Sequence, residues 1–175
     1  LNIEGYPSNE FLINVTDALP AQCTLVPDPP DVLTSNAGWT LSGNEKVLQT
    51  AIPLLKEKNI RVSLFIDPAT INTQDLLAFR DMGTDRVELY TEAYATAYGT
   101  PEAGAVLDTY KKCAELATSM GLELNAGHDL NLDNLRDFAQ AIPDLKEVSI
   151  GHALVCDALD HGWLQTIQKY LDCLR

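Results

Sequence analysis

The feature that most constrains this chain is a repeated exchange of two hydrophobic periods. Six short β-rich runs, Leu1–Glu4, Cys23–Asp28, Arg61–Asp67, Arg86–Thr91, Glu123–His128 and Val148–His152, are each followed by a stretch with helical spacing. Parallel strands need a crossover between them, and a helix is the usual one. Strict alternation therefore implies a parallel sheet with right-handed connections. Within the stretch after Pro101, the residues Val106, Tyr110, Cys113, Ala117 and Met120 fall on one face. Leu132, Leu135, Phe138, Ala139 and Ile142 do the same later, so each helix has one face for a sheet and one for water. Asn59, Gly83 and Gly121 sit just past helix ends, where a left-handed residue is wanted. Pro53 lies inside a helical run and is expected to kink or split it.

Two architectures meet these demands. A doubly wound open sheet usually carries a glycine-rich fingerprint after its first strand, and this chain has none. A (β/α)8 TIM barrel has eight units in roughly 250 residues. The expected fold is thus an α/β TIM barrel with about six of its eight units in these 175 residues, read as a single domain over 1–175. Leu1-Asn2-Ile3-Glu4 reads as a strand with no lead-in. Two absent units of roughly 30 residues each lead us to expect about 60–80 further N-terminal residues in the whole protein.

Charge narrows the partners. The net charge is −13 and the few Lys and Arg are scattered, which argues against a nucleic-acid surface. No apolar run approaches the roughly 20 residues of a membrane span. The expectation is a cytoplasmic protein kept apart from others by its charge. Anionic ligands remain possible, because helix N-termini hold phosphate without basic side chains. Cys23, Cys113, Cys156 and Cys173 form no C-x-x-C pair and read as buried free thiols in a reducing compartment.

In a barrel the C-terminal strand ends form the active-site face. Taken in order, those ends offer Glu4, Asp28, Asp67, Glu88 with Thr91, His128 and His152. Structure alone does not ask for proton-handling groups at nearly every strand end, and the pattern reads as an enzyme. Glu4 is either a general base or an exposed residue at a loop start. Glu88, flanked by Val87 and Leu89, is costly to bury unless paired or functional. His128 suits proton transfer at neutral pH, and Gly127 before it suggests a tight turn or a close backbone approach. Ser149-Ile150-Gly151-His152-Ala153 runs from strand into helix where barrels often bind phosphate. The loop Thr34–Gly38 is either a substrate lid or a solvated connection. His161 reads as a surface residue. Barrel metal sites usually show a close His-x-His pair, which is absent here, so no metal is expected.

Several of these segments together resemble one family. Leu1-Asn2-Ile3-Glu4, Cys23-Thr24-Leu25-Val26-Pro27, the Thr34–Gly38 loop, Arg61-Val62-Ser63-Leu64-Phe65-Ile66-Asp67, Val87-Glu88-Leu89-Tyr90-Thr91, Leu124-Asn125-Ala126-Gly127-His128 and Ile150-Gly151-His152-Ala153 occur in the order seen in pyridoxine 5′-phosphate synthases. The resemblance implies a TIM barrel assembled into homo-octamers and no metal or organic cofactor. It implies condensation of 1-deoxy-D-xylulose 5-phosphate with 3-amino-2-oxopropyl phosphate to pyridoxine 5′-phosphate, phosphate and water. It makes Glu4 a proton acceptor, Glu88 a transition-state stabiliser and His128 a proton donor. Thr34 would contact the deoxyxylulose phosphate, and Gly151 and His152 the aminoketone phosphate. Asp129 stands where the family has glycine. Its backbone N–H could still reach that phosphate, while its carboxylate would repel it unless turned away. The competing readings are a phosphosugar isomerase or aldolase on the same fold, and a degenerate barrel that binds a phosphorylated metabolite without turnover.

Overall fold

The computed structural model describes residues 1–28 and 37–175. Its elements follow the order β1 (Asn2–Gly5), α1 (Asn9–Ala18), β2 (Gln22–Leu25), α2 (Glu45–Glu57), β3 (Arg61–Ile66), α3 (Thr73–Asp81), β4 (Arg86–Tyr90), α4 (Glu92–Ala97), α5 (Ala103–Ser119), β5 (Glu123–Gly127), α6 (Leu135–Ala141), β6 (Leu145–Ser149), α7 (His152–His161) and α8 (Trp163–Cys173). The six strands pair in sequence order, all parallel. They form a curled half-barrel with alternating helices, a partial TIM barrel of about six βα units.

The curl is visible in side-chain bonds that a flat sheet could not make. Neighbouring strands lie about 4.8 Å apart, so β1 and β6 would stand about 24 Å apart if the sheet were flat. Yet Ser149 Oγ on β6 donates to Glu4 Oε1 on β1 at 3.1 Å. Arg86 Nη1 on β4 likewise reaches Gln22 Oε1 on β2 at 3.0 Å and Glu147 Oε2 on β6 at 2.8 Å. These bonds cross the inside of the curl.

Each strand divides its side chains by period two. Val62, Leu64, Ile66, Val87, Leu89, Leu124 and Ala126 are fully buried against the helices. The alternate positions face inward and are mostly polar: Gln22, Thr24, Ser63, Arg86, Glu88 and Asn125 are all buried. Barrel interiors are ordinarily filled by Val, Ile and Leu. This one carries hydrogen-bonding groups, each of which needs a partner.

Three expectations change. Pro53 does not split its helix: α2 runs unbroken through it. The proline sits on the exposed face, where the carbonyl that loses its N–H partner can be met by water. The last strand is Leu145–Ser149, not Val148–His152, so His152 opens α7 instead of closing a strand. Cys156 is exposed, whereas Cys23, Cys113 and Cys173 are buried, because Cys156 lies on the outer side of α7. Asn59, Gly83 and Gly121 do adopt positive φ (57°, 100° and 86°) at helix ends.

Candidate active site

At the C-terminal mouth of the strands lies a cavity of about 720 Å³ lined by Asn2, Glu4, Phe65, Glu88, His128, Asp129, Asn131, Glu147, Ser149, Gly151 and His152, among others. Six of the seven residues given a site role from the sequence, Glu4, Glu88, His128, Asp129, Gly151 and His152, therefore meet around one space, whereas the strand-end Asp28, Asp67 and Thr91 do not line it. The seventh, Thr34, lies outside the described residues. Gly38, at the end of the same loop, has a packing role. A Cβ there would stand 2.0 Å from the Asp67 nitrogen, so only glycine lets the backbone at this position lie on the end of β3. Trp39 then anchors it, its Nε1–H donating to the Leu25 carbonyl at 2.8 Å.

Glu88 occupies the middle of β4 and is 1% exposed. Asn125 Nδ2 donates to its Oε2 at 2.9 Å, and the Thr24 hydroxyl stands 3.3 Å from the same oxygen. Burial lifts its carboxyl from the ordinary 4.5 to about 8, and the negative charge of Glu4 adds to the rise. Glu88 is thus a neutral acid at pH 7. Glu4 lies on the edge strand and accepts from Asn2 Nδ2 at 2.8 Å and from Ser149 Oγ. The surrounding protein raises its carboxyl, Ser149 opposes the rise, and Glu147 reinforces it. Two carboxyl groups with different surroundings, one fully buried and one at the sheet edge, now face one cavity.

His128 is the first residue beyond β5 and has a φ of 83°; Asp129 follows at 57°. Two consecutive non-glycine residues in the left-handed region are costly and persist only where neighbours enforce them. Thr91 supplies one constraint, its hydroxyl donating to the Gly127 carbonyl at 2.8 Å and also to that of His128. Asn134 Nδ2 supplies another by donating to the Asp129 carbonyl, while Tyr94 OH donates to the Asn134 carbonyl at 2.8 Å. The result turns the imidazole into the mouth, edge-on to Tyr90 at a centroid distance of 4.9 Å. The Asp129 carboxylate is engaged by His128 Nδ1 at 2.7 Å.

Gly127 does not take the turn itself, since the positive φ falls on His128. Glycine is needed there for space: a Cβ would lie 2.4 Å from Glu88 Oε1. Gly151 precedes α7 as its N-cap, with nothing within 4 Å of a Cβ, and His152 opens the helix. The N–H groups of that first turn border the cavity and have no helical partner. Among the described residues no lysine or arginine lines the cavity. No group of three or more His, Cys, Asp or Glu side chains among them is placed to hold a metal ion. No helix among them is long and apolar enough to cross a membrane. Sequence reasoning missed Thr24 and Asn125, which touch Glu88, and read Ser149 as part of a phosphate turn without its bond to Glu4.

Fold and site together define a TIM-barrel enzyme with an acid, a second carboxyl group and an imidazole around one pocket. The comparison with known proteins makes this particular. The chain belongs to the family of the pyridoxal phosphate biosynthesis protein PdxJ, whose model matches residues 1–175. It is 48% identical over 173 residues to a pyridoxine 5′-phosphate synthase of Parabacteroides distasonis, covering 99% of this chain and 71% of that protein. It is 49% identical to one of Porphyromonas gingivalis over the same shares. Among solved structures, a 3-keto-L-gulonate-6-phosphate decarboxylase from Vibrio cholerae matches with a TM-score of 0.61 at 14% identity, covering 97% of this chain and 68% of that one. That likeness speaks for the fold alone.

Proposed function

We propose that the protein is a pyridoxine 5′-phosphate synthase. It condenses 1-deoxy-D-xylulose 5-phosphate with 3-amino-2-oxopropyl phosphate, closes the ring, and releases pyridoxine 5′-phosphate, phosphate and water. The observation that carries this reading is the meeting of Glu4, Glu88 and His128 with the α7 N-terminus around one cavity, in a chain of this family. Imine formation, elimination and ring closure each move protons, and they need groups in different protonation states around one reactant. Glu4 serves as the acceptor. His128 returns a proton to leaving oxygen. Glu88, neutral at pH 7, donates a hydrogen bond to charge that develops on the reactant. Its neutrality also removes one negative charge from a pocket that must admit two phosphorylated molecules.

The aminoketone phosphate sits on the first-turn N–H groups of α7 at Gly151 and His152, where the helix dipole favours an anion. The Asp129 carboxylate is held by His128, which leaves its backbone N–H for the same phosphate. Thr34 contacts the deoxyxylulose phosphate. The working form is a homo-octamer in the cytoplasm. The test is to incubate the full-length protein with both phosphorylated substrates and follow pyridoxine 5′-phosphate by its fluorescence. Product that requires both substrates supports the assignment. Saturable binding of either one without product would replace it with a metabolite-binding barrel.

A further inference from the structure

The two oxygens of Glu88 stand in different surroundings. Oε2 faces Asn125 Nδ2 at 2.9 Å and the Thr24 hydroxyl at 3.3 Å. Both groups are fully buried. The Ser63 hydroxyl, 3.4 Å from Asn125 Oδ1, holds the amide with its nitrogen toward Glu88. Oε1 has no protein donor among the described residues, and it occupies the space a Gly127 side chain would take, 2.4 Å from the Cβ position, in a residue that lines the cavity. The Thr24 hydroxyl has one proton, and Asn2 Oδ1 also lies 3.3 Å from it. Asn2 in turn donates to Glu4, so one chain of polar groups links the two carboxyl groups through Thr24.

An oxygen that accepts from an amide and a hydroxyl is the carbonyl-like oxygen of a carboxylic acid. The acid proton then belongs on the other oxygen. We propose that Asn125 and Thr24 are positioning residues that fix Oε2 as the accepting oxygen of Glu88, so that Oε1 carries the proton and presents it over Gly127 to the reactant. The oxygen it meets is a carbonyl or departing hydroxyl of the phosphorylated ketose, a detail that rests on the synthase reading. The titratable and charged groups on the same side as Glu88 are Glu4 from β1, Glu147 from β6 and His128 from the end of β5, with Arg86 on its own strand. On that side strands β2 and β3 contribute the neutral Gln22, Thr24, Ser63 and Phe65, while Arg61 at the start of β3 is exposed. The pair therefore acts by hydrogen bonding, not by charge.

Two readouts test this in the full-length protein. The first is the carboxylic C=O band of Glu88 in infrared difference spectra recorded against pH, assigned by its loss in Glu88→Gln. Asn125 and Thr24 favour the ionised form, so Thr24→Val or Asn125→Ala should move the titration to higher pH and shift the band itself. Thr24→Ser should restore both. The second is kcat/KM, which should fall roughly 10- to 100-fold in Thr24→Val and Asn125→Ala through misplacement of the donor, and recover in Thr24→Ser. Thr24→Val is close to isosteric, and it decides the matter if Asn125→Ala does not fold. An unchanged band and titration in folded Thr24→Val would overturn the proposal, as would a wild-type band already absent near pH 7. The infrared result needs no turnover. A shifted band in a protein that makes no pyridoxine 5′-phosphate would keep the positioning role and overturn the synthase reading alone.

Discussion

Replacing Glu88 with glutamine should stabilise the protein at alkaline pH while impairing it as a catalyst. An unfolded glutamate ionises near 4.5, whereas burial holds native Glu88 protonated up to about 8. Between those values the native state binds a proton that the unfolded chain has released, so unfolding becomes easier as pH rises. The stability linked to this group is fully present below about 4.5 and has been lost once pH passes about 8. At about 1.4 kcal/mol per pH unit the ceiling is about 5 kcal/mol. Glutamine has nearly the shape of the neutral acid. Its amide oxygen can take the place of Oε2 beside Asn125 and Thr24, and its nitrogen can lie over Gly127. The assay is urea unfolding at about pH 5 and about pH 8.5, followed through Trp39, which is 1% exposed. With a slope of about 2 kcal/mol/M, the wild-type midpoint should fall by up to ~2 M more than that of Glu88→Gln across this interval. Equal falls in the two proteins would refute the reasoning, because they would mean that native Glu88 ionises at the same pH as in the unfolded chain.

Other outcomes follow from the same contacts. Gly127→Ala would place a Cβ 2.4 Å from Glu88 Oε1 and 3.1 Å from Ser149. It should cost about 1–3 kcal/mol through overpacking, read as a lowered Tm, and an unchanged Tm would contradict the placement of Glu88. His128→Ala should leave thermal unfolding unchanged and reduce turnover by roughly 100-fold or more; near-normal turnover would remove His128 from the catalytic set. Asp129→Gly should keep both fold and turnover, since glycine adopts its φ of 57° freely and retains the backbone N–H. A large loss of turnover there would show that the carboxylate itself serves His128.

The alternation of periods made the architecture legible before any coordinates, because a parallel βα sheet leaves few other ways to bury these runs. The strand-end groups were legible for a related reason: Glu88 between Val87 and Leu89 is a charge where burial forbids one. What escaped was the inward face. Gln22 and Thr24, Arg86 and Glu88, and Asn125 each stand two residues from the next inward position, so the polar half of the alternation was present in the strands. It went unread because short parallel strands are expected to be apolar on both faces. The geometry of His128 was hidden for another reason. Gly127 signalled a tight turn and a close backbone approach, but the bonds from Thr91 that hold the positive φ on His128 come from a strand end 37 residues earlier. Long-range contacts of that kind leave no local signature. The exact end of β6 was missed because Gly151-His152 reads equally well as strand end or helix start.

The most direct measurement is kcat/KM against pH in the full-length protein, with both phosphorylated substrates. Activity should fall as pH rises past about 8, as Glu88 loses the proton it presents to the reactant. Activity that stays level well above that pH would contradict it, for Glu88 would then contribute nothing as a neutral acid.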